Sequence, residues 1–248
     1  MEAEGYNIDQ GDNMSNTPLG LAACNGNEEE VEWLLGQGGT SVDEPNKRGQ
    51  TPLWLAARNG HEEVVKILLR RGDVDPNKSD NGGKTPLWCA ARYGHAAVVE
   101  LLLERGDIDP NKSDIGGQIP LLCAVRYGHA VVVEILLGRS DVNPNIQDNE
   151  GRTPLWNAVA YGHAGVVELL LGRAGVDPNA QDSRGQTPLG CAAQNGYPGM
   201  VAILLGRSDI NLNIRDNEGR TPCSWASGNG HVSVVRILGL GGADVNLS

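Results

Sequence analysis

The amino-acid sequence predicts an all-α solenoid, a row of short helix pairs stacked on one another. Three observations carry this: a motif that returns at a fixed interval, a helix start in every copy, and turn residues between the helices. "TPLWLAARNGHEEVVKILLRRGDVDPNKSD" at 51–80 is followed by "TPLWCAARYGHAAVVELLLERGDIDPNKSD" at 85–114. The opening triplet stands at Thr17-Pro18-Leu19, Thr51-Pro52-Leu53, Thr85-Pro86-Leu87, Ile119-Pro120-Leu121, Thr153-Pro154-Leu155, Thr187-Pro188-Leu189 and Thr221-Pro222-Cys223, always 34 residues apart. The second and third copies agree at about 24 of 34 positions. A constant period of this size marks units that bury their apolar faces only against their neighbours.

Within one copy, Thr85 before Pro86 is a helix start: the hydroxyl caps free backbone N–H groups and proline suits the first helical position. Leu87, Ala90 and Ala91 share one face of a helix of about two turns. Gly94 ends it, because a left-handed residue is needed there. His95 opens a second helix whose apolar face is Val98, Val99, Leu101, Leu102 and Leu103, and Gly106 is expected to close it. "DPNKSDIGG" then reads as a hairpin-like crossing built from Asp, Pro, Asn and Gly. In the fourth copy Ile119 cannot cap, so the array is expected to be least stable there, by about 1 kcal/mol.

The order Thr-Pro-Leu, Ala-Ala, Gly-His, Val-Val, Leu-Leu, Gly, Asp-Pro-Asn closely resembles the ankyrin repeat, with about seven copies across residues 17–248 and a partial N-terminal cap at 1–16. The copies depart from the family in their period of 34 rather than 33, the extra residue being expected in "RGDIDPN". They also replace the family's histidine after Leu by Trp54, Trp88 and Trp156. Core packing of these tryptophans and their partial exposure along a groove floor both remain open, whereas Trp33, in the place of Ile67 and Leu101, is expected in the core. The last copy keeps Val234, Val235, Ile237 and Leu238 without the polar outer face of a terminal cap. A monomer or weak end-to-end self-association is therefore expected.

Several patterns imitate chemistry. His61, His95, His129, His163 and His231 recur, but equivalent positions in stacked helices lie ~8–10 Å apart, too far for one metal whose ligands sit at ~2.0–2.1 Å. They read as helix-start histidines bonded to backbone. Cys89 and Cys123 exceed disulfide reach by the same argument and read as small core residues. "GGKT" at 82–85 lacks the earlier glycine of a phosphate loop. The aspartates at 80, 114, 148, 182 and 216 recur because the turn wants them. No nucleophile, base and orienting group is placed by any motif, so no enzyme, cofactor or metal is expected.

Surface carries the function. The resemblance implies a concave groove formed by the hairpin tips and first-helix ends. There the sequence places Tyr93, Tyr127 and Tyr161, flanked by Arg58, Arg92 and Arg126, with Lys84 and Arg152 on the tips. Tyrosine and arginine are the types enriched at binding hot spots. Ten of the 20 basic residues map to these positions in a chain of net charge −11. That charge argues against nucleic-acid binding and for an acidic or mixed-charge partner steered to the groove. The expected function is a protein-interaction scaffold that holds a partner protein or peptide. A small-molecule binder or atypical enzyme using the aromatic groove is the alternative. The acidic start, five cysteines and lack of a long apolar run point to a cytoplasmic protein, or a nuclear one, without a membrane span.

Overall fold

The computed structural model describes residues 15–37 and 39–244, so the expected cap at 1–16 falls, apart from its last two residues, outside the described part. Among the described residues there are fourteen α-helices and no strand. The chain divides into two compact units, one ending at Asp109 and one beginning at Pro110. The first holds α1 (Pro18–Asn25), α2 (Glu28–Gly36), α3 (Pro52–Asn59), α4 (Glu62–Leu69), α5 (Pro86–Tyr93) and α6 (Ala96–Leu103). The second holds α7 (Pro120–Arg126), α8 (Ala130–Leu137), α9 (Pro154–Ala160), α10 (Ala164–Leu171), α11 (Pro188–Gln194), α12 (Pro198–Leu205), α13 (Pro222–Gly228) and α14 (Val232–Leu240). In each unit, first helices pack on first helices and second on second, as in α1 on α3 and α2 on α4. This is the all-α, helix-pair stacking that the period predicts.

The first helices are short because their sequence starts and stops them within two turns. Threonine hydroxyls accept from the backbone N–H three residues on, at 3.0 Å for Thr17, 3.1 Å for Thr51 and Thr85, and 3.2 Å for Thr153. Such caps each contribute about 1 kcal/mol. Ile119 makes no such bond, as expected of it, and is only 5% exposed. Leu19, Leu53 and Leu87 in the first unit and Leu121, Leu155 and Leu189 in the second are fully buried. At ~2–3 kcal/mol for each buried leucine, this column supplies much of the stacking energy. Alanines such as Ala56, Ala57, Ala90 and Ala91 have no exposed surface and let the helices approach closely.

Three side-chain devices lock one repeat to the next. The first is histidine: Nε2 of His61, His95, His163 and His231 lies 2.9–3.0 Å from the carbonyl oxygens of Cys24, Arg58, Arg126 and Gln194. A carbonyl can only accept, so each of these nitrogens carries the proton. The ring needs a glycine beside it. Gly60 has φ +76°, and a Cβ there would stand 2.6 Å from His95 Nδ1. The second is an arginine missed in the sequence: Arg105, Arg173 and Arg207 donate to the carbonyls of Leu69, Leu137 and Leu171 at the end of the preceding second helix. Arg105 and Arg207 also fork onto Asp107 and Asp209, holding those carboxyls below their usual range. The third is asparagine. Asn77 accepts from Asp109 N–H at 2.9 Å and donates to the Asp107 carbonyl, and Asn145 and Asn179, two and three repeats later, do the same with the repeat that follows each.

The crossings are turns rather than strands. In the later crossings one aspartate oxygen accepts two backbone N–H groups, as Asp80 does from Gly82 and Lys84 and Asp182 from Arg184 and Gln186, and in the first crossing Asn46 Oδ1 does the same for Arg48 and Gln50. This is the turn duty expected of these aspartates. Two expectations are corrected. Gly106 does not close α6, whose C-cap is Glu104 in right-handed geometry. Trp33 is 63% exposed rather than core. Its column is never fully buried, since Ile67 and Leu101 are only half-buried, and it stands on the first described helix pair.

Asp43 occupies the asparagine position of the first repeat. One oxygen accepts from Asp75 N–H at 2.7 Å, as Asn77 does from Asp109. The other, Oδ1, is buried without a partner, because an ionised carboxylate cannot donate where asparagine does. Burial raises the Asp43 pKa, against the Asp75 N–H and Lys78 that lower it. A raised folded-state value means that this group favours folding below the unfolded value, near ~3.9, and that the benefit is lost as pH rises through the folded value. Asp43→Asn should therefore stabilise the protein at neutral pH by about 1 kcal/mol and flatten its acid-range pH dependence in denaturant titrations.

Candidate functional site

The predicted site residues fall into two sets, one in each unit. In the first unit Arg58 stands one helical turn after Trp54, at the end of α3. Its guanidinium carbon lies 5.9 Å from the Trp54 ring centroid and 5.7 Å from that of Tyr93. Arg92 lies 5.6 Å from Trp88, one turn before it, and 5.7 Å from its sequence neighbour Tyr93, and the Lys84 ammonium lies 5.0 Å from Trp88. Trp54, Arg58, Tyr93, Arg92, Trp88 and Lys84 thus alternate ring and cation in one run. Each such contact contributes about 0.5–1 kcal/mol at an exposed position, and together they hold long side chains that would otherwise wander.

In the second unit Arg126 lies 5.2 Å from the Tyr161 ring and Arg152 lies 5.4 Å from that of Trp156. Arg152 also pairs with the buried carboxylate of Asp148 at 2.9 Å and with Glu150. The three tyrosines share one setting: Tyr93, Tyr127 and Tyr161 each stack on the histidine two residues on, with centroids 6.4 Å apart. They remain 44%, 39% and 41% exposed. Each ring is fixed by its neighbours and still offers surface to solvent.

The tryptophans divide between the two roles that the sequence leaves open. Trp54 and Trp88 are buried, and Trp54 Nε1 donates to the Lys84 carbonyl at 2.9 Å. Trp156 is partly exposed, and its Nε1 is buried with no partner. It lines a cleft of about 380 Å³ in the second unit together with Arg152, Tyr161, Arg184, Gln194 and others. Sequence reasoning missed this cleft, and it missed Trp225, whose Nε1 donates to Asp216 Oδ2 at 2.9 Å. Trp225 stands four residues after its threonine where Trp156 stands three after, and that offset was the available signal.

All five cysteines are free thiols. Cys89, Cys123 and Cys191 are buried as the small core residues expected of the first two. Burial pushes the Cys191 thiol up to about 12, against a weaker opposing hydrogen bond from Asn195. No helix among the described residues is long and apolar enough to cross a membrane.

Comparison with known proteins agrees with this architecture. The family model for ankyrin repeats matches three times, over residues 19–114, 107–182 and 171–248. No curated protein matches in sequence. Among solved structures, the ankyrin repeat domain of human ASB11 is similar, at 28% identity and TM-score 0.77, covering 92% of this chain and 99% of that one. The ankyrin repeat domain of Bcl-3, a member of the IkappaB family, is similar at 28% identity and TM-score 0.77, covering 90% and 99%.

A thiol reagent at neutral pH should modify the partly exposed Cys24 first and leave Cys89, Cys123 and Cys191 unmodified until denaturant is added. Mass spectrometry of the labelled chain counts the modified thiols in each state, and rapid native labelling of Cys191 would contradict its burial.

Proposed function

Because this chain belongs to the ankyrin-repeat family, whose repeats generally serve as protein–protein interaction modules, we propose that it is a non-enzymatic intracellular scaffold, cytoplasmic by its free thiols. It holds a partner protein or extended peptide over the hairpin tips and first-helix ends. Arg58, Arg92, Tyr93 and Lys84 do this in the first unit, and Arg126, Tyr127, Tyr161 and Arg152 in the second. The observation that carries the reading is the pre-set arrangement of exposed tyrosines and arginines. Ring and cation fix each other before a partner arrives, so less side-chain entropy is lost on binding. Tyrosine supplies rigid apolar area with a polar tip, and arginine supplies a fork for carboxylates.

Glutamates such as Glu100 in the first unit and Glu134 and Glu168 in the second stand on the second helices and are exposed. The positive charge is therefore concentrated where the tyrosines are. A partner with acidic or mixed charge is favoured and a basic one repelled. Because successive repeats lie ~8–10 Å apart, an extended partner presents a matching group about every third residue.

A peptide array probed with the labelled chain supplies ligands for the test. Tyr127→Ala should weaken binding by about thirtyfold, the effect of a hot spot near 2 kcal/mol, while Glu134→Ala leaves it unchanged. Added salt should weaken the arginine contribution, since exposed charges are screened over about 8 Å at physiological ionic strength. Equal binding by the two variants rejects the assignment.

Weak end-to-end self-association belongs to the same proposal. Val31, Val65, Val99, Val133, Val167 and Val201 are all 0% exposed, but Val235 at the same position of α14 is only half-buried. Leu240, at the end of the same helix, is 84% exposed. Light scattering should show an apparent mass that rises with concentration, and a strictly constant monomer mass rejects it.

A further inference from the structure

Two positions of the second unit lack a guanidinium that their counterparts hold, and both line the same cleft. The first concerns a ring. Trp88 carries two cations, Lys84 at 5.0 Å and Arg92, one helical turn on, at 5.6 Å. Trp54 likewise carries Arg58 one turn on, at 5.9 Å. Trp156 keeps Arg152 at 5.4 Å in the place of Lys84, but Ala160 stands where Arg58 and Arg92 stand. Trp54 and Trp88 are 4% and 3% exposed, whereas Trp156 stays partly exposed. The second concerns a turn aspartate. Asp148 Oδ2 accepts from Arg152 and Asp216 Oδ2 from Arg220, each four residues on. Asp182 has Gln186 there, and Gln186 donates instead to Gln194 Oε1 at 2.7 Å. Asp182 Oδ1 serves its turn, and Oδ2 makes no hydrogen bond or ion pair among the described residues.

Trp156, Ala160 and Asp182 line one cleft of about 380 Å³, together with Gln186, Gln194 and Asn195. Its open acceptors are Asp182 Oδ2, Gln186 Oε1 and Asn195 Oδ1, the Asn195 N–H₂ being bound to the Cys191 carbonyl. Charge points the same way. Arg152 is already matched by Asp148 and Glu150. With Asp182 and the exposed Arg184 on the rim, three carboxylates face two guanidiniums, one positive charge short of balance. An aromatic ring beside a carboxylate and neutral acceptors holds a cation by ring contact and hydrogen bond together. We propose that this cleft receives an arginine side chain of the bound peptide. It stacks against Trp156, where other repeats place their own arginine, and bonds to Asp182. A planar guanidinium suits the cleft better than an ammonium, since it can stack and fork at once. The inference rests on the partner-binding reading above and narrows the partner to a segment of mixed charge with one arginine at this place.

The test uses the full chain with ¹³C-labelled tryptophan rings and two probes, N-acetyl-arginine N-methylamide and its citrulline analogue. Citrulline keeps the shape and loses the charge. The Trp156 ring signals are identified by their loss in Trp156→Phe. The arginine probe should shift those signals and bind roughly tenfold more tightly than the citrulline probe, the margin of a charge-assisted over a neutral hydrogen bond. Asp182→Asn keeps a turn acceptor, since Asn46 does this duty in the first crossing, and should bring the arginine probe down to the citrulline level. Ala160→Arg restores the missing side chain. It should shift the Trp156 signals with no probe present and abolish the effect of the probe. An unmoved Trp156 signal, equal response to both probes, or undiminished binding by either variant overturns the proposal. If peptide binding depends on Tyr127 but the arginine probe leaves Trp156 unmoved, the cleft assignment fails alone. If Tyr127→Ala binds peptides like the native chain while the arginine probe behaves as expected, the scaffold surface fails and the arginine site stands.

Discussion

A helix of seven or eight residues is too short to hold itself together in water, and this chain contains little else. The apolar stripe of each helix, a leucine and two alanines in α3 or two valines and a leucine in α4, can be covered only by the next pair. Burial across repeats is therefore the condition for the helices to exist. The hydrogen bonds that run 30–39 residues along the chain serve that condition. Histidine, arginine and asparagine each satisfy a backbone group that the short helices and turns would otherwise leave open.

The same arithmetic shapes the surface. Because the interior is filled by small and aliphatic residues, the aromatic rings of the first-helix ends have no core to enter, and they pair instead with cations. The overall charge is −11, while Arg58, Arg92 and Arg126 place positive charge at the first-helix ends. Rings held by arginine and histidine present a surface that is apolar in area and polar at its edge.

Much of the fold was legible because the period repeats every local rule. Thr-Pro starts, the left-handed glycine at 94 and the turn aspartates are short-range devices, and short-range devices can be read from neighbouring letters. What could not be read depends on partners a full period away. The histidines could be called backbone-bound, but their acceptors, such as the Arg58 carbonyl 37 residues earlier, appear only once the stack is formed. Asp43 looks conservative beside Asn77 until its unpartnered oxygen is seen. Trp33 follows the apolar pattern and is exposed all the same, because pattern records a face and not whether anything covers it. Of the site, the tyrosines and arginines were named from sequence, but their mutual contacts were not. The cleft beside Trp156 was invisible, since it is lined by residues of two successive repeats that meet only in the stack.

The histidine bond is made to a backbone carbonyl rather than to a side chain, and this has a bearing on how such a chain can change length. His95 donates to the carbonyl of residue 58, and His61 to that of residue 24. Excision of residues 51–84 would bring His95 to the carbonyl that His61 now uses, with glycine already in place at residue 26 to admit the ring. The acceptor is chemically the same whatever residue bears it. Recombination in whole periods therefore joins compatible surfaces, and any other length does not. The gene can gain or lose repeats, and with them reach along a partner, without inventing a new interface.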